Sequence, residues 1–147
     1  MIRKIDKNDL LKIVDLCKMM YEEGANHKRL SFSPERVLEV VATTVETGYI
    51  SVIEQGEELV GIMAGCLVQP AFSRDFMACD YMLYVVPKCR GGMTAIRLVR
   101  DYIKWAKEGG AKLITVGVTA GIDNDFAVKF YEALGFKQTG NLMMMEV

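Results

Sequence analysis

The sequence predicts a single α/β domain in which a mixed sheet is packed between helices. The chain has 147 residues, a length that fits one domain with a core of its own. Hydrophobic residues make up 51% of it, which excludes general disorder. Segments with helical periodicity alternate with apolar, β-branched runs in the order βααβββαβαβ, which is typical of a sheet covered by helices.

Caps and turns mark the elements expected in the first half of the chain. Asp6 and Asn8 are candidate caps for the first helix, Ser33 and Pro34 start a second helix, and Gly48 ends it. The turn at 55–57 has the composition of a hairpin connection. The expected elements are a strand at 2–5, a helix that ends near 23, a helix between 33 and 48, and strands at 49–54 and 58–68.

The second half is expected to begin with the central strand of the sheet. This run, at 76–86, is mostly apolar without strict alternation, which indicates burial on both faces. Residues 76–119 form a strand–helix–strand unit, for which a right-handed parallel crossover is expected. Asp123 or Asn124 caps the last helix. The expected elements are a strand at 76–86, a helix at 92–108, a strand at 112–119, a helix at 123–134, and strands at 136–137 and 142–147.

Charge and cysteine content narrow the classes of partner. The 18 basic and 19 acidic side chains create no overall field for nucleic acid or for an anionic membrane, so neither partner is expected. The four cysteines and the single histidine lack zinc-ligand spacing, so no metal site is expected. No apolar run reaches the roughly 18 residues of a membrane span. Reduced thiols in the cytoplasm are the simplest interpretation.

A glycine turn follows the central strand. The apolar run stops at Pro87, passes through Arg90-Gly91-Gly92 and continues into a helical pattern. Glycines allow a ligand close to the backbone, and the unpaired N–H groups of a helix N-terminus attract anions. A plain tight turn is the alternative. The segment therefore predicts a site for a phosphorylated ligand.

Two segments together resemble the GNAT family of N-acetyltransferases. The run from Tyr84 to Ala95 is similar to the family's Q/R-x-x-G-x-G/A loop after a strand that ends in V-x-P, with Met93 where a glycine is usual. The run from Asn124 to Phe136 resembles the family's N-x-x-A-x-x-F-Y-x-x-x-G-F helix at every marked position. The loop without its middle glycine is similar to that of members encoded by bacteriophages.

The resemblance implies an acyl-CoA N-acyltransferase fold across residues 1–147. Its sheet is mostly antiparallel, with one parallel strand pair that splays apart to admit acetyl-CoA. The implied activity is direct transfer of the acetyl group to a primary amine, without a metal, in the cytoplasm (of the host, if a phage encodes the chain). A homodimer is a possible assembly, and a degenerate member without turnover is the alternative. The residues that would bind the cofactor are Leu83, Val85, Val86, Arg90, Gly91, Gly92, Met93, Thr94, Ala95 and Asn124.

The resemblance also implies catalytic positions. Tyr131 stands where the family has the tyrosine that protonates the departing thiolate. Tyr81 stands where many members have a catalytic glutamate, and Asp80 is one residue away, on the opposite face of a regular strand. A bulge could re-aim Asp80. Asp80, a water relay and an amine that binds already neutral therefore remain alternatives for the base.

Overall fold

The computed structural model describes all residues, 1–147, as one sheet with four helices. The predicted fold class is confirmed. Short 3₁₀ turns precede α1, α2 and α3. The elements are β1 (Ile2–Lys4), α1 (Leu10–Glu23), α2 (Pro34–Thr47), β2 (Tyr49–Gln55), β3 (Glu58–Val68), β4 (Phe76–Val85), α3 (Thr94–Glu108), β5 (Ala111–Thr115) and α4 (Asn124–Ala133).

The five strands lie in the order β1-β2-β3-β4-β5. The first three pairings are antiparallel, and the pairing of β4 with β5 is parallel. That parallel pairing ends at Cys79 and Thr115, although β4 continues for six more residues. The sheet therefore opens between β4 and the chain that follows β5.

An extra residue interrupts the regular pairing of β4 with β3. Ala64 is paired with Met82 and Gly65 with Asp80, so Tyr81 has no partner on β3. Such a β-bulge reverses the side-chain alternation of the strand beyond it. The bulge anticipated near Asp80 is thus present.

The helices on the two faces of the sheet show which way the bulge turns Asp80. The Tyr84 hydroxyl donates to Glu23 at the end of α1, so the even-numbered positions after the bulge face α1. Regular alternation would place Asp80 on that face too. Instead, Asp80 lies close to Tyr102 of α3 and Tyr131 of α4: burial raises the pKa of both phenols, and the charge of Asp80 raises it further. The bulge therefore brings Asp80 to the same side as Tyr131.

The C-terminal strands predicted at 136–137 and 142–147 do not form, so this prediction is wrong. The strand predicted at 112–119 is also shorter, because the chain leaves the sheet after Thr115. The tail keeps its apolar side chains in solvent: Leu142 is 70% exposed and Met145 is 84% exposed. Strand preference without a buried face does not hold a segment in a sheet. A groove of about 1210 Å³ separates the tail from β5 and α4.

Candidate active site

A cleft of about 800 Å³ opens where the parallel strands diverge. One wall is the end of β4 and another is the chain at 117–124 after β5; others come from the glycine loop, from α4 and from the loop between α1 and α2. Most of the side chains along it are apolar. Clefts of this size with a few convergent polar groups are typical small-molecule sites.

The end of β4 presents to the cleft backbone groups that no neighbouring strand pairs with. The Val86 N–H donates to the Val60 carbonyl at 3.0 Å, so Val86 faces β3. In an antiparallel ladder, alternate residues turn their N–H and C=O groups to the other edge. Leu83 and Val85 therefore point their backbone groups toward the cleft, and both residues line it.

The glycine loop is open toward a ligand. Gly91 has φ +79°, and a methyl group added at Gly91 or Gly92 would meet no atom within 4 Å. No side chain caps the start of α3, and its first bond of the i to i−4 type runs from the Arg97 N–H to the Met93 carbonyl at 2.9 Å. The backbone N–H groups from Gly91 to Ile96 are therefore free to bind an anion.

Met93 and Thr94, the other two loop residues predicted to bind the cofactor, lie outside the cleft. Met93 is 48% exposed and is not among the residues that line it. The Thr94 methyl lies on the side of Gly61 in β3, and a Cβ added at Gly61 would be 3.2 Å from it. The Met93 side chain therefore leaves the approach to the loop open.

Arg90 is held by a group of contacts that the sequence did not reveal. Its Nε donates to the Val85 carbonyl at 2.8 Å, and both terminal nitrogens donate to the Glu23 carboxylate. The Tyr84 hydroxyl donates to the same carboxylate at 2.8 Å, and the guanidinium lies 5.3 Å from the centre of the Tyr84 ring. The Arg90 bond and the Tyr84 bond lower the pKa of Glu23. Because 67 residues separate Glu23 from Arg90, no local motif signals this pair.

Asp80 is a partly buried carboxylate at the point where the strands diverge. Its Oδ1 accepts the Gly117 N–H at 2.9 Å. Burial raises the pKa of Asp80 from 3.8 to about 6, and the Gly117 bond lowers it by less. Desolvation disfavours the charged form of a carboxyl group. Asp80 can therefore accept a proton in the neutral range.

Tyr131 lies on α4 with its ring among aromatic side chains. It makes edge-to-face contacts with Phe130 and Phe136, at centroid distances of 5.2 and 5.5 Å. The residue is only 6% exposed, yet it lines the cleft. Burial, and secondly the charge of Asp80, raise the pKa of Tyr131, so the phenol stays protonated at neutral pH. The structure thus brings the two predicted catalytic residues to one cleft.

The start of α4 closes another side of the cleft. Asp123, not Asn124, is the cap, because its side chain accepts the Phe126 N–H at 3.2 Å. Asp123 adopts φ +38°, a left-handed conformation that is uncommon outside glycine. Asn124 is the first residue of the helix and lines the cleft, so its amide is available to a ligand.

The loop between α1 and α2 forms a further side of the cleft. The Asn26 N–H donates to the Ala120 carbonyl at 3.2 Å, and its side-chain amide donates to the Thr119 carbonyl at 2.8 Å. His27 lines the cleft, with Nδ1 3.2 Å from the Met20 carbonyl. The two Asn26 bonds fix the loop to the segment that follows β5.

Two further features concern metals and membranes. The structure contains no group of three or more histidine, cysteine or acidic side chains that could hold a metal ion. None of its helices combines the length and the apolar character that crossing a membrane requires.

Comparison with known proteins identifies the family to which the chain belongs. The sequence model of the acetyltransferase (GNAT) family matches residues 13–136, and the chain belongs to this family. Its members are acetyltransferases, so acyl transfer is the general activity. A search of curated protein sequences gives no match.

Solved structures share the fold over the whole chain. A protein described as a transcriptional regulator of Bacillus halodurans C-125 is 24% identical, with TM-score 0.81 and coverage of 100% of this chain and 99% of that one. A Pyrococcus furiosus protein assigned as an acetyl transferase is 27% identical, with TM-score 0.73 and full coverage of both chains. An aminoglycoside acetyltransferase from an uncultured soil metagenomic sample, in complex with sisomicin, is 17% identical, with TM-score 0.74 and coverage of 100% and 94%.

Proposed function

We propose that this protein transfers the acetyl group of acetyl-CoA directly to a primary amine. The observation that carries the proposal is the cleft itself, because one opening combines backbone groups of β4 that no strand pairs with, the glycine loop, Asp80 and Tyr131. The proposal thus specifies the donor and the acceptor for the general acetyltransferase activity of the family.

The residues around the cleft fit an extended thioester carrier that ends in phosphates. Leu83 and Val85 would pair with the amide groups of the pantetheine arm, as an added strand pairs with a sheet edge. The amide groups around Gly91 and Gly92 would hold the diphosphate, and Asn124 would bind the carrier from α4. Acetyl-CoA supplies an acetyl group that is activated by its bond to sulfur.

Asp80 is proposed to take the proton of the acceptor amine. An alkylammonium group has a pKa near 10 and must lose a proton before its nitrogen can attack. The apolar walls of the cleft lower the pKa of a bound amine, while burial has raised the pKa of Asp80 to about 6. The two values therefore approach one another, which favours proton transfer.

The other groups act on the charges that form during transfer. As the new C–N bond forms, negative charge develops on the thioester oxygen, which a backbone N–H on the cleft edge of β4 would stabilise. The C–S bond then breaks, and Tyr131 donates its proton to the departing thiolate. The attacking nitrogen loses its second proton to solvent as the amide forms, and the protonated Asp80 returns its proton to the phenolate, so each acetylated alkylammonium releases one proton.

Two measurements test the proposed function. Isothermal titration calorimetry should give a micromolar or tighter Kd for acetyl-CoA, and a thiol-release assay with a panel of primary amines should show turnover. A degenerate protein would give no heat and no rise in Tm at millimolar acetyl-CoA. Binding without turnover on any amine would contradict the transferase and retain the cofactor site.

The assembly, the location and the absence of nucleic acid or membrane partners remain predictions from the sequence. Light scattering tests the homodimer, fractionation tests the cytoplasmic location, and binding to DNA and to vesicles tests the other two.

A further inference from the structure

We propose that Arg90 and Glu23 make the cleft selective for thioester carriers that bear a diphosphate, because Arg90 must exchange partners before the carrier can bind. This inference rests on the proposed function and concerns how its carrier is chosen. It makes Arg90 a specificity-determining residue and Glu23 the residue that positions it.

The first step of the argument is the position of the Arg90 side chain. Its Nε donates a hydrogen bond to the Val85 carbonyl at 2.8 Å. Val85 is one of the two residues of β4 whose backbone groups face the cleft, and its carbonyl is an acceptor that an added strand would use. A pantetheine arm that pairs with β4 must therefore compete with Arg90 for this oxygen.

The second step is the strength of the competing arrangement. Glu23 accepts from both terminal nitrogens of Arg90, one of them at 2.7 Å, which is the two-pronged geometry that arginine and carboxylate favour. Both side chains are about two-thirds shielded from solvent, at 35% and 29% exposure, so the pair is screened less than one on the open surface. The Tyr84 hydroxyl holds the carboxylate in place.

The third step is what a ligand must offer in exchange. Arg90 begins the glycine loop, where the diphosphate is proposed to bind. A diphosphate carries negative charge and oxygen acceptors in the geometry that a guanidinium binds, so it can replace Glu23 as the partner of Arg90. Pantetheine has no phosphate and can displace Arg90 only at a net loss. The Glu23–Arg90 pair thus weakens the binding of pantetheine more than the binding of coenzyme A.

The fourth step predicts that one substitution changes the affinities for two ligands in opposite directions. Arg90→Ala removes the competitor for the Val85 carbonyl and also the cation for the diphosphate. Pantetheine should therefore bind about threefold more tightly and coenzyme A about tenfold or more weakly. Glu23→Gln leaves Arg90 charged but less firmly held, so coenzyme A should bind roughly three- to tenfold more tightly.

The test measures binding without turnover. Kd values for coenzyme A by calorimetry and for pantetheine by NMR titration are compared for wild type, both variants and the double variant. Glu58→Gln is the matched control, because Glu58 forms a 2.6 Å pair with Lys88 just before the same loop and the change in charge is identical. Its Kd for coenzyme A should stay within about twofold of wild type. In the Arg90→Ala background, Glu23→Gln should have no effect.

The outcomes separate this inference from the proposed function. Weaker binding of coenzyme A by Glu23→Gln, or an equal gain in Glu58→Gln, would overturn the exchange while leaving the cofactor site intact. If Arg90→Ala abolished the binding of both ligands, the proposed exchange would also be overturned. A wild-type protein that binds no coenzyme A would overturn the proposed function and this inference with it. Thermal unfolding of each variant verifies that the fold is retained.

Discussion

Replacing Asp80 with asparagine should stabilise the protein at neutral pH and remove its activity. Asparagine keeps the side-chain oxygen that accepts the Gly117 N–H. It cannot ionise, so the cost of holding a charged carboxylate against apolar walls disappears. The same change removes the proposed base.

The magnitude follows from the pKa of Asp80. Burial raises that pKa from 3.8 to about 6. Each pKa unit corresponds to about 1.4 kcal/mol, so the ionised Asp80 lowers the free energy of unfolding by at most about 3 kcal/mol above pH 6. Between pH 4 and 6 the folded state binds more protons at this group than the unfolded state. The stabilising effect of the protonated group is therefore complete below pH 4 and is lost as the pH rises to 6.

Urea unfolding at a series of pH values measures this effect directly. The difference in free energy of unfolding between Asp80→Asn and wild type should be near zero at pH 4 and should grow to a plateau above pH 6. Circular dichroism provides the signal, and the slope of free energy against urea concentration should be the same in both proteins. A difference that is constant over this range would refute a raised pKa at Asp80.

The activity of the same variant tests the catalytic role separately. Wild-type kcat/KM should rise with pH around a midpoint near 6, where Asp80 becomes ionised. In Asp80→Asn the rate should fall about 10²-fold or more, and this rise should disappear. A variant that retains the rise would show that another group, or a water relay, takes the proton.

Three other substitutions test the remaining parts of the site. Tyr131→Phe should lower kcat about 10- to 100-fold, with the Kd for coenzyme A unchanged by calorimetry; an unchanged kcat would exclude the acid role. Gly92→Ala should weaken coenzyme A binding without lowering Tm, since its methyl group meets no protein atom within 4 Å. Gly140→Ala in the tail, equally open, is its control and should change neither quantity. Gly91→Ala, at φ +79°, should also lose about 1–2 kcal/mol of stability in urea unfolding; unaltered stability would contradict the strained backbone.

Local signals account for the parts of the fold that could be predicted. Ser33 caps α2 by accepting the Arg36 N–H at 3.1 Å, and the chain after Gly48 enters β2 as expected. These signals lie within one turn of the residues that they control. The glycine loop could be predicted for the same reason, because its backbone conformation depends on its own residues. Such features can be read from one short stretch of sequence.

Features that depend on distant partners could not be predicted in this way. The Glu23–Arg90 pair depends on how α1 crosses the end of β4. The tail from 137 to 147 has the composition of a strand, but a strand also needs a face to bury and an edge to pair with. Composition alone could not show that the tail leaves its apolar side chains exposed and stays separated from the β5 edge by a groove. Both cases require the tertiary arrangement.

Asp80 shows why the candidate base stayed open until the structure was considered. Strand periodicity places it on the α1 face, and only the unpaired Tyr81 reverses that assignment. Gly65 lies opposite, where an added Cβ would be 2.6 Å from the Cys79 carbonyl and 2.9 Å from the Tyr102 ring. The close approach of β4 and α3 at this point therefore needs a residue without a side chain. The same bulge lies where β4 leaves β5, so one irregularity both directs the carboxylate to Tyr131 and places it at the mouth of the opening.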